Sequence, residues 1–261
     1  MVFKGENKTI IRENGRLTVR RCDSPEHIWE GKTEEGKPGE GSKMRKVFIL
    51  TEEESAYSTM GLKIITEDQS TITYYEKNAK SFIEDTWNAE VTEIRDAFLE
   101  LLPEQAVILD FGCGSGRDTK YFLERGYIVE AIDGSLELCK AAGRSTGIKV
   151  KHMYFHELDA REQYDGIWAC ASILHLKRQE LPEMIQKIGR AVKQNGVIYL
   201  SFKYGDFEGE RRGRYFTDMT EERLSGVLTG IPELNVEKQW ITNDGRVGRG
   251  DERWLNTILR K

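Results

Sequence analysis

The stretch AVILDFGCGSGRD, residues 106–118, decides the fold class. A short apolar run ends in Asp110, glycines alternate at Gly112, Gly114 and Gly116, and a helical pattern opens immediately afterwards. That order reads as a strand, a tight loop and the start of a helix. In an open parallel sheet, ligands bind at the carboxyl ends of the strands, and the first such loop is the main site. Glycines there permit unusual backbone angles and let a ligand approach the main chain. The spacing also narrows the ligand. A dinucleotide fingerprint, G-x-G-x-x-G counted from Gly112, needs its third glycine at 117, where the chain has Arg117.

On both sides of this motif, short apolar runs alternate with helical stretches. YIVEAID (127–133), IKVKHMYF (148–155), YDGIWAC (164–170) and GVIYLSF (196–202) read as further strands, with helices around 117–125, 135–145 and 179–194 between them. Strands alternating with helices predict a parallel sheet with right-handed crossovers. LNVEKQWIT and RWLNTILRK, after a last helix near 219–229, predict an antiparallel pair at the sheet's end. The expected architecture is α/β: a doubly wound, Rossmann-like, mostly parallel seven-stranded sheet with an antiparallel end strand. Upstream, residues 73–86 read as helix. So does WNAEVTEIRDAFLELLP (87–103), where Trp87, Val91, Ile94, Phe98 and Leu101 recur at helical spacing before Pro103. The expected domain spans residues 71–261. Residues 1–70 read as a small β-rich N-terminal extension, with a hairpin around Asn14-Gly15, an exposed polar stretch from Glu30 to Ser42 and a strand at KVFILT (46–51).

Asp133 closes the second strand, 23 residues after Asp110. A carboxylate there can accept hydrogen bonds from both hydroxyls of a ribose; the alternative is that Asp133-Gly134-Ser135 forms only a turn and helix cap. An acid followed by G-x-G-x-G resembles the class I S-adenosylmethionine-dependent methyltransferases. DFGCGSGRDTKYFLERGY (110–127) is most similar to the branch with tellurite-resistance-type and small-molecule enzymes. The resemblance covers residues 73–261 and implies S-adenosyl-L-methionine as cofactor. It implies that Gly112, Cys113, Gly114 and Gly116 pack against the cofactor's amino-acid part. Asp110 would hold its ammonium group, and Asp133 with Gly134 would meet the ribose. HELDA (156–160) would border the adenine through Glu157, Leu158 or Asp159. Ala169 and Cys170, in ACASILHL (169–176), would line the methionine side, and Tyr74 or Tyr75 would lie on a helix closing over the cofactor.

The reacting residues are less well marked. His175 follows the fourth strand and could act as a base near neutral pH, or fill the pocket rim or cap the next helix. Tyr215 is the second catalytic candidate. FKYGDFEGERRGRYFTDMT (202–220) carries Lys203, Arg211, Arg212 and Arg214 among Tyr204, Phe207, Tyr215 and Phe216. Arg211, Arg212 and Arg214 are the candidate substrate residues, able to clamp a carboxylate or phosphate. The competing reading is a solvated loop in which Asp206, Glu208 and Glu210 cancel them. Arg246 and Arg249 lie in a second Gly-rich loop, expected at the same mouth.

A net charge of −5 lacks the basic excess of a polynucleotide binder, so DNA is not an expected partner. No stretch approaches the roughly 20 apolar residues that span a bilayer, and MVFKGENKTI lacks the apolar core of a signal peptide. Four cysteines, Cys22, Cys113, Cys139 and Cys170, without CxxC spacing point to reduced thiols, no metal and a cytoplasmic setting. The expected activity is methyl transfer to a small molecule, an anionic one included. Two alternatives fit the same residues: a methyltransferase acting on RNA or protein that residues 1–70 recruit, or a non-catalytic regulator that binds S-adenosylmethionine. The absence of an NPPY-like tetrapeptide at 169–172, where ACAS stands, argues against amino methylation of nucleic-acid bases. Oligomeric state is not legible.

Overall fold

The computed structural model describes Lys8–Glu13, Arg16–Arg21 and residues 69–261. Contacts divide the chain into Met1–Ile64 and Ile65–Lys261. In the first unit, β1 (Lys8–Glu13) and β2 (Arg16–Arg21) pair antiparallel, with Glu13 opposite Arg16. The expected loop at 30–42 and strand at 46–51 lie outside the described residues.

The second unit is a seven-stranded sheet. Its central strands are β3 (Val107–Phe111), β4 (Ile128–Asp133), β6 (Tyr164–Ala169) and β7 (Val192–Lys203), with β5 (Lys151–His152) at one edge. These five are mutually parallel. At the other end β11 (Arg253–Arg260) runs antiparallel to β7, and β10 (Asn235–Asn243) pairs outside it, giving the spatial order β10-β11-β7-β6-β3-β4-β5. The helices are α1 (Gln69–Thr86), α2 (Thr92–Leu99), α3 (Arg117–Leu123), α4 (Leu136–Thr146), α5 (Leu181–Ala191) and α6 (Glu221–Leu228). A hairpin of β8 (Glu208–Arg211) and β9 (Arg214–Thr217) follows β7. None of the described helices is long and apolar enough to cross a membrane.

Alternation along each strand puts a core on both faces. Leu109, Phe111, Ile167, Ile198 and Leu200 meet Leu181, Met184, Ile185 and Ile188, the i, i+3, i+4, i+7 stripe of α5. Ile108, Val129, Trp168, Val197 and Tyr199 meet Phe98 of α2 and Phe122 of α3 on the opposite face.

Three local expectations need correction. The run 148–155 holds only a two-residue strand, both residues exposed, because at a sheet edge just one neighbour supplies hydrogen bonds; Phe155–Glu157 then turns as a 3-10 helix. The run 87–103 is helical only over Thr92–Leu99. Asn195 and Gly196 fall inside β7 rather than before it: Asn195 adopts φ +64° and the pairing with β6 skips from Val192 to Val197, a bulge.

Candidate functional site

Strand register assembles the site. Phe111 pairs with Ile132, and Asp110 with Trp168, so Gly112, Asp133 and Cys170 leave the sheet side by side at its carboxyl edge. The Gly112 and Cys113 N–H groups both donate to the Ile132 carbonyl, at 3.0 and 2.9 Å, which folds the loop over the end of β4. Gly112 has φ +83°, and a Cβ there would lie 2.6 Å from Ser172 Cβ and 3.2 Å from the Phe155 ring, so only glycine fits. A cleft of about 640 Å³ opens above this edge, within the usual range for a ligand site.

The acids at the loop are held differently. Asp133 accepts the Gly114 N–H through Oδ2 and the Ser135 N–H through Oδ1, both at 2.8 Å. Burial pushes its carboxyl up to about 6 against those two bonds. Ser135 caps α4 by accepting the Leu138 N–H, and the Asp133 carboxylate lines the cleft, with further lone pairs for a ligand. Asp110 accepts a 2.5 Å bond from Thr119 Oγ1, and burial beside Asp118 pushes it up to about 8. Beneath the loop, burial opposes ionisation of Asp118. Arg117, which donates to both its oxygens at 2.8 Å, overrides this and holds it below the usual carboxylate range, with Trp168 Nε1 adding a 3.0 Å bond.

The expected site residues divide between the cleft and its surroundings. Asp110, Gly112, Cys113, Gly114, Asp133, Gly134, Cys170 and Tyr75 line it. Four do not. Gly116 packs α3 against α4: a Cβ would stand 2.9 Å from Ala142 Cβ. The Glu157 carboxylate folds back onto the Tyr154 N–H at 2.7 Å, and Leu158 and Ala169 are buried in the sheet core. From the third-strand segment the cleft receives Phe155 instead. Burial raises the thiols of Cys113 and Cys170, the latter to about 12. Among the described residues no cluster of His, Cys, Asp and Glu could hold a metal ion.

The expected reacting residues are also redistributed. The Tyr215 phenol donates to Glu208 Oε1 at 3.0 Å and is not among the residues that line the cleft. Its carbonyl, however, lies 2.6 Å from His175 Nδ1. A carbonyl can only accept, so Nδ1 carries the proton. His175 Nε2, 2.9 Å from the Tyr75 hydroxyl, then accepts from Tyr75 in the neutral ring, and Tyr75 in turn accepts from Arg214 Nη1 at 3.2 Å. Burial raises the Tyr75 phenol above its ordinary value, although Arg214 opposes this. The lone pair a base would use is therefore engaged.

Arg211, Arg212 and Arg214 all line the cleft, as do Arg246 and Arg249 of the second Gly-rich loop. Arg211 forms a bidentate pair with Asp218 at 3.2 and 2.6 Å. Arg246 pairs with Asp244 at 2.6 Å, and Arg249 with Asp85 at 3.1 Å. Ser172, 4% exposed and packed on Gly112, lies in the cleft wall within the ACASILHL stretch, but nothing in its residue type marked it out.

Residues 108–196 match the family model described as a methyltransferase domain. An uncharacterized methyltransferase from Staphylococcus carnosus is 25% identical over 191 residues, spanning 67% of this chain and 92% of that protein. Among solved structures, the 1,6-didemethyltoxoflavin-N1-methyltransferase of Burkholderia thailandensis, with 1,6-didemethyltoxoflavin and S-adenosylhomocysteine bound, superposes with a TM-score of 0.58 at 22% identity. It covers 73% of this chain and 84% of its own. The [4+2]-cyclase SpnF superposes with a TM-score of 0.52 at 16% identity, covering 65% and 80%. At these identities the structures share the fold with this chain.

Proposed function

We propose that this chain is a methyltransferase that takes its methyl group from S-adenosylmethionine and delivers it to a small molecule. The observation that carries this reading is the Asp110–Gly114 loop bonded to Asp133 through the Gly114 N–H, both facing one cleft. The methyltransferase-domain match over residues 108–196 and the didemethyltoxoflavin enzyme with its bound S-adenosylhomocysteine support the same cofactor.

The residues present fit that group. The Gly112 cradle has no room for a side chain, Asp110 supplies a carboxyl that an ammonium would draw into its ionised form, and Asp133 supplies acceptors for ribose hydroxyls. When bound, S-adenosylmethionine supplies an electrophilic methyl on a sulfonium. The chain's own contribution is alignment and exclusion of water. Phe155 and Leu138 wall the cleft near Asp133, and Tyr75 covers it from α1. His175 fixes the Tyr75 hydroxyl and acts as a positioning residue, so the reading favours an acceptor that is already nucleophilic over one that needs a base.

The fold alone admits another reaction, since one structural neighbour is a cyclase. Two measurements decide. S-adenosylmethionine and S-adenosylhomocysteine at 100 times Kd stabilise the folded state by about 2.7 kcal/mol, several degrees in Tm, and NAD leaves Tm unchanged. A shift with NAD and none with S-adenosylhomocysteine would refute the cofactor assignment. Label transfer from methyl-labelled cofactor to small molecules separates a methyltransferase from a cyclase or a regulator.

A further inference from the structure

Most cations that line the cleft are already neutralised within the protein. Arg117 pairs with Asp118, Arg211 with Asp218, Arg246 with Asp244, Arg249 with Asp85 and Lys203 with Glu252. Arg214 is different. Among the described residues its guanidinium meets no carboxylate. Nη1 donates to the Tyr75 hydroxyl, and the rings of Tyr74, Phe216 and Tyr75 surround the group at 4.4, 5.0 and 5.6 Å. Its Nε is buried and has no hydrogen-bond partner among the described residues. The aromatic rings fix the plane of the guanidinium through cation–π contacts but satisfy no N–H. Among the described residues Arg212 and Arg253 also meet no carboxylate, but both are exposed to solvent. A second orphaned donor stands in the same cleft: Ser172 Oγ, on a residue 4% exposed that packs against Gly112, has no partner among the described residues either. Buried donors left unmade are costly, and two in one cleft mark where a ligand's acceptors belong.

We propose that Arg214 docks an oxyanion, the carboxylate or phosphate group of the methyl acceptor, and that Ser172 Oγ bonds the same molecule beside the glycine loop. With Nη1 engaged by Tyr75, Nε and Nη2 form one remaining edge, whose spacing matches two oxygens of a single oxyanion. Arg214 thereby sets the acceptor class, while Arg211 shapes the wall as an internally paired group. This assignment rests on the methyltransferase reading.

The test uses the full chain, methyl-labelled S-adenosylmethionine and a small-molecule extract of the source organism, separated beforehand on an anion exchanger. Acceptor activity is expected in the retained fraction. Phosphatase treatment of that fraction then distinguishes the sources: lost activity assigns a phosphate, surviving activity a carboxylate. Arg214→Gln is expected to raise KM for the retained fraction by about tenfold or more, to keep the Kd for S-adenosylhomocysteine within twofold, and to be partly rescued by Arg214→Lys. Arg144→Gln, at an exposed arginine of α4 outside the cleft, is expected to change neither value. A loss of stability alone would move Tm without splitting KM from cofactor affinity, and Ser172→Ala, which removes only the hydroxyl, is expected to raise KM with Tm nearly unchanged. Acceptor activity in the flow-through, or an unchanged KM in Arg214→Gln, overturns the proposal. Cofactor binding with no label in either fraction overturns the methyltransferase reading itself, and the docking assignment with it.

Discussion

Asp110 and Asp133 end neighbouring strands, yet burial raises the first to about 8 and the second only to about 6, because two backbone N–H groups support Asp133. The ordinary carboxyl of an unfolded aspartate titrates near 3.9. Between about pH 4 and 8, therefore, the unfolded chain gives up the Asp110 proton while the folded chain keeps it. Stability falls as pH rises through that window and levels off above it. Asp110→Asn, which cannot ionise, is expected to gain in Tm relative to the parent as pH rises from 5 to 9. A Tm difference that stays flat across this range would refute the raised carboxyl. In the parent, binding an ammonium favours the ionised form. Calorimetry of S-adenosylhomocysteine at pH 7 in two buffers of different ionisation enthalpy is then expected to detect proton release, and Asp110→Asn to abolish that release.

At the scale of elements, the glycine loop works because three glycines do different things. Gly112 lets Ser172 approach, Gly114 gives its N–H to Asp133, and Gly116 starts α3 at φ +77° against Ala142 of α4. Gly116→Ala is expected to cost roughly 2–4 kcal/mol, from left-handed strain plus overpacking, with S-adenosylhomocysteine affinity within about twofold of the parent where the protein is folded. Unchanged Tm with lost binding would instead make Gly116 a ligand contact. A similar division runs through α1, which breaks at Asn78 (φ −116°, ψ 17°), where the side chain donates to the Tyr74 carbonyl at 2.8 Å. The turn before the break holds Tyr75 against His175 and Arg214. Thr71 Oγ1, nearer the start of the helix, accepts the Tyr215 N–H at 2.9 Å, so α1 and the β8–β9 hairpin are joined along the cleft.

Across the whole molecule, the two cores clamp the sheet that aligns the site. Phe98 is fully buried between Phe122 and Trp168, at ring distances of 6.0 and 5.2 Å, and a Cβ on Gly166 would lie 2.7 Å from its Cζ. Phe98→Ala is expected to cost about 3–5 kcal/mol in urea unfolding, because the sheet and the Trp168–Asp118 bond keep the void from closing. A loss below about 1 kcal/mol would mean that α2 is not part of the cooperative core.

The sequence by itself determined the layered α/β order, the loop at Asp110–Gly116, the acid at Asp133 and the antiparallel strand at the sheet's end. These are legible because strand and helix periods, glycine placement and a strand-terminal acid are local properties of the chain. Tertiary structure decided which residues face the cleft. The third-strand segment reads as one apolar run, yet an edge position with a single neighbour shortens it and presents Phe155 in place of Glu157 and Leu158. Identical arginines at 211 and 214 separate only when Asp218 folds onto one and three aromatic rings onto the other. His175, Tyr75 and the Tyr215 carbonyl lie 100 and 40 residues apart in pairs, so their hydrogen-bond chain has no signature in any one segment. Pairing and burial are relations between distant parts of the chain, and only the packed structure fixes them.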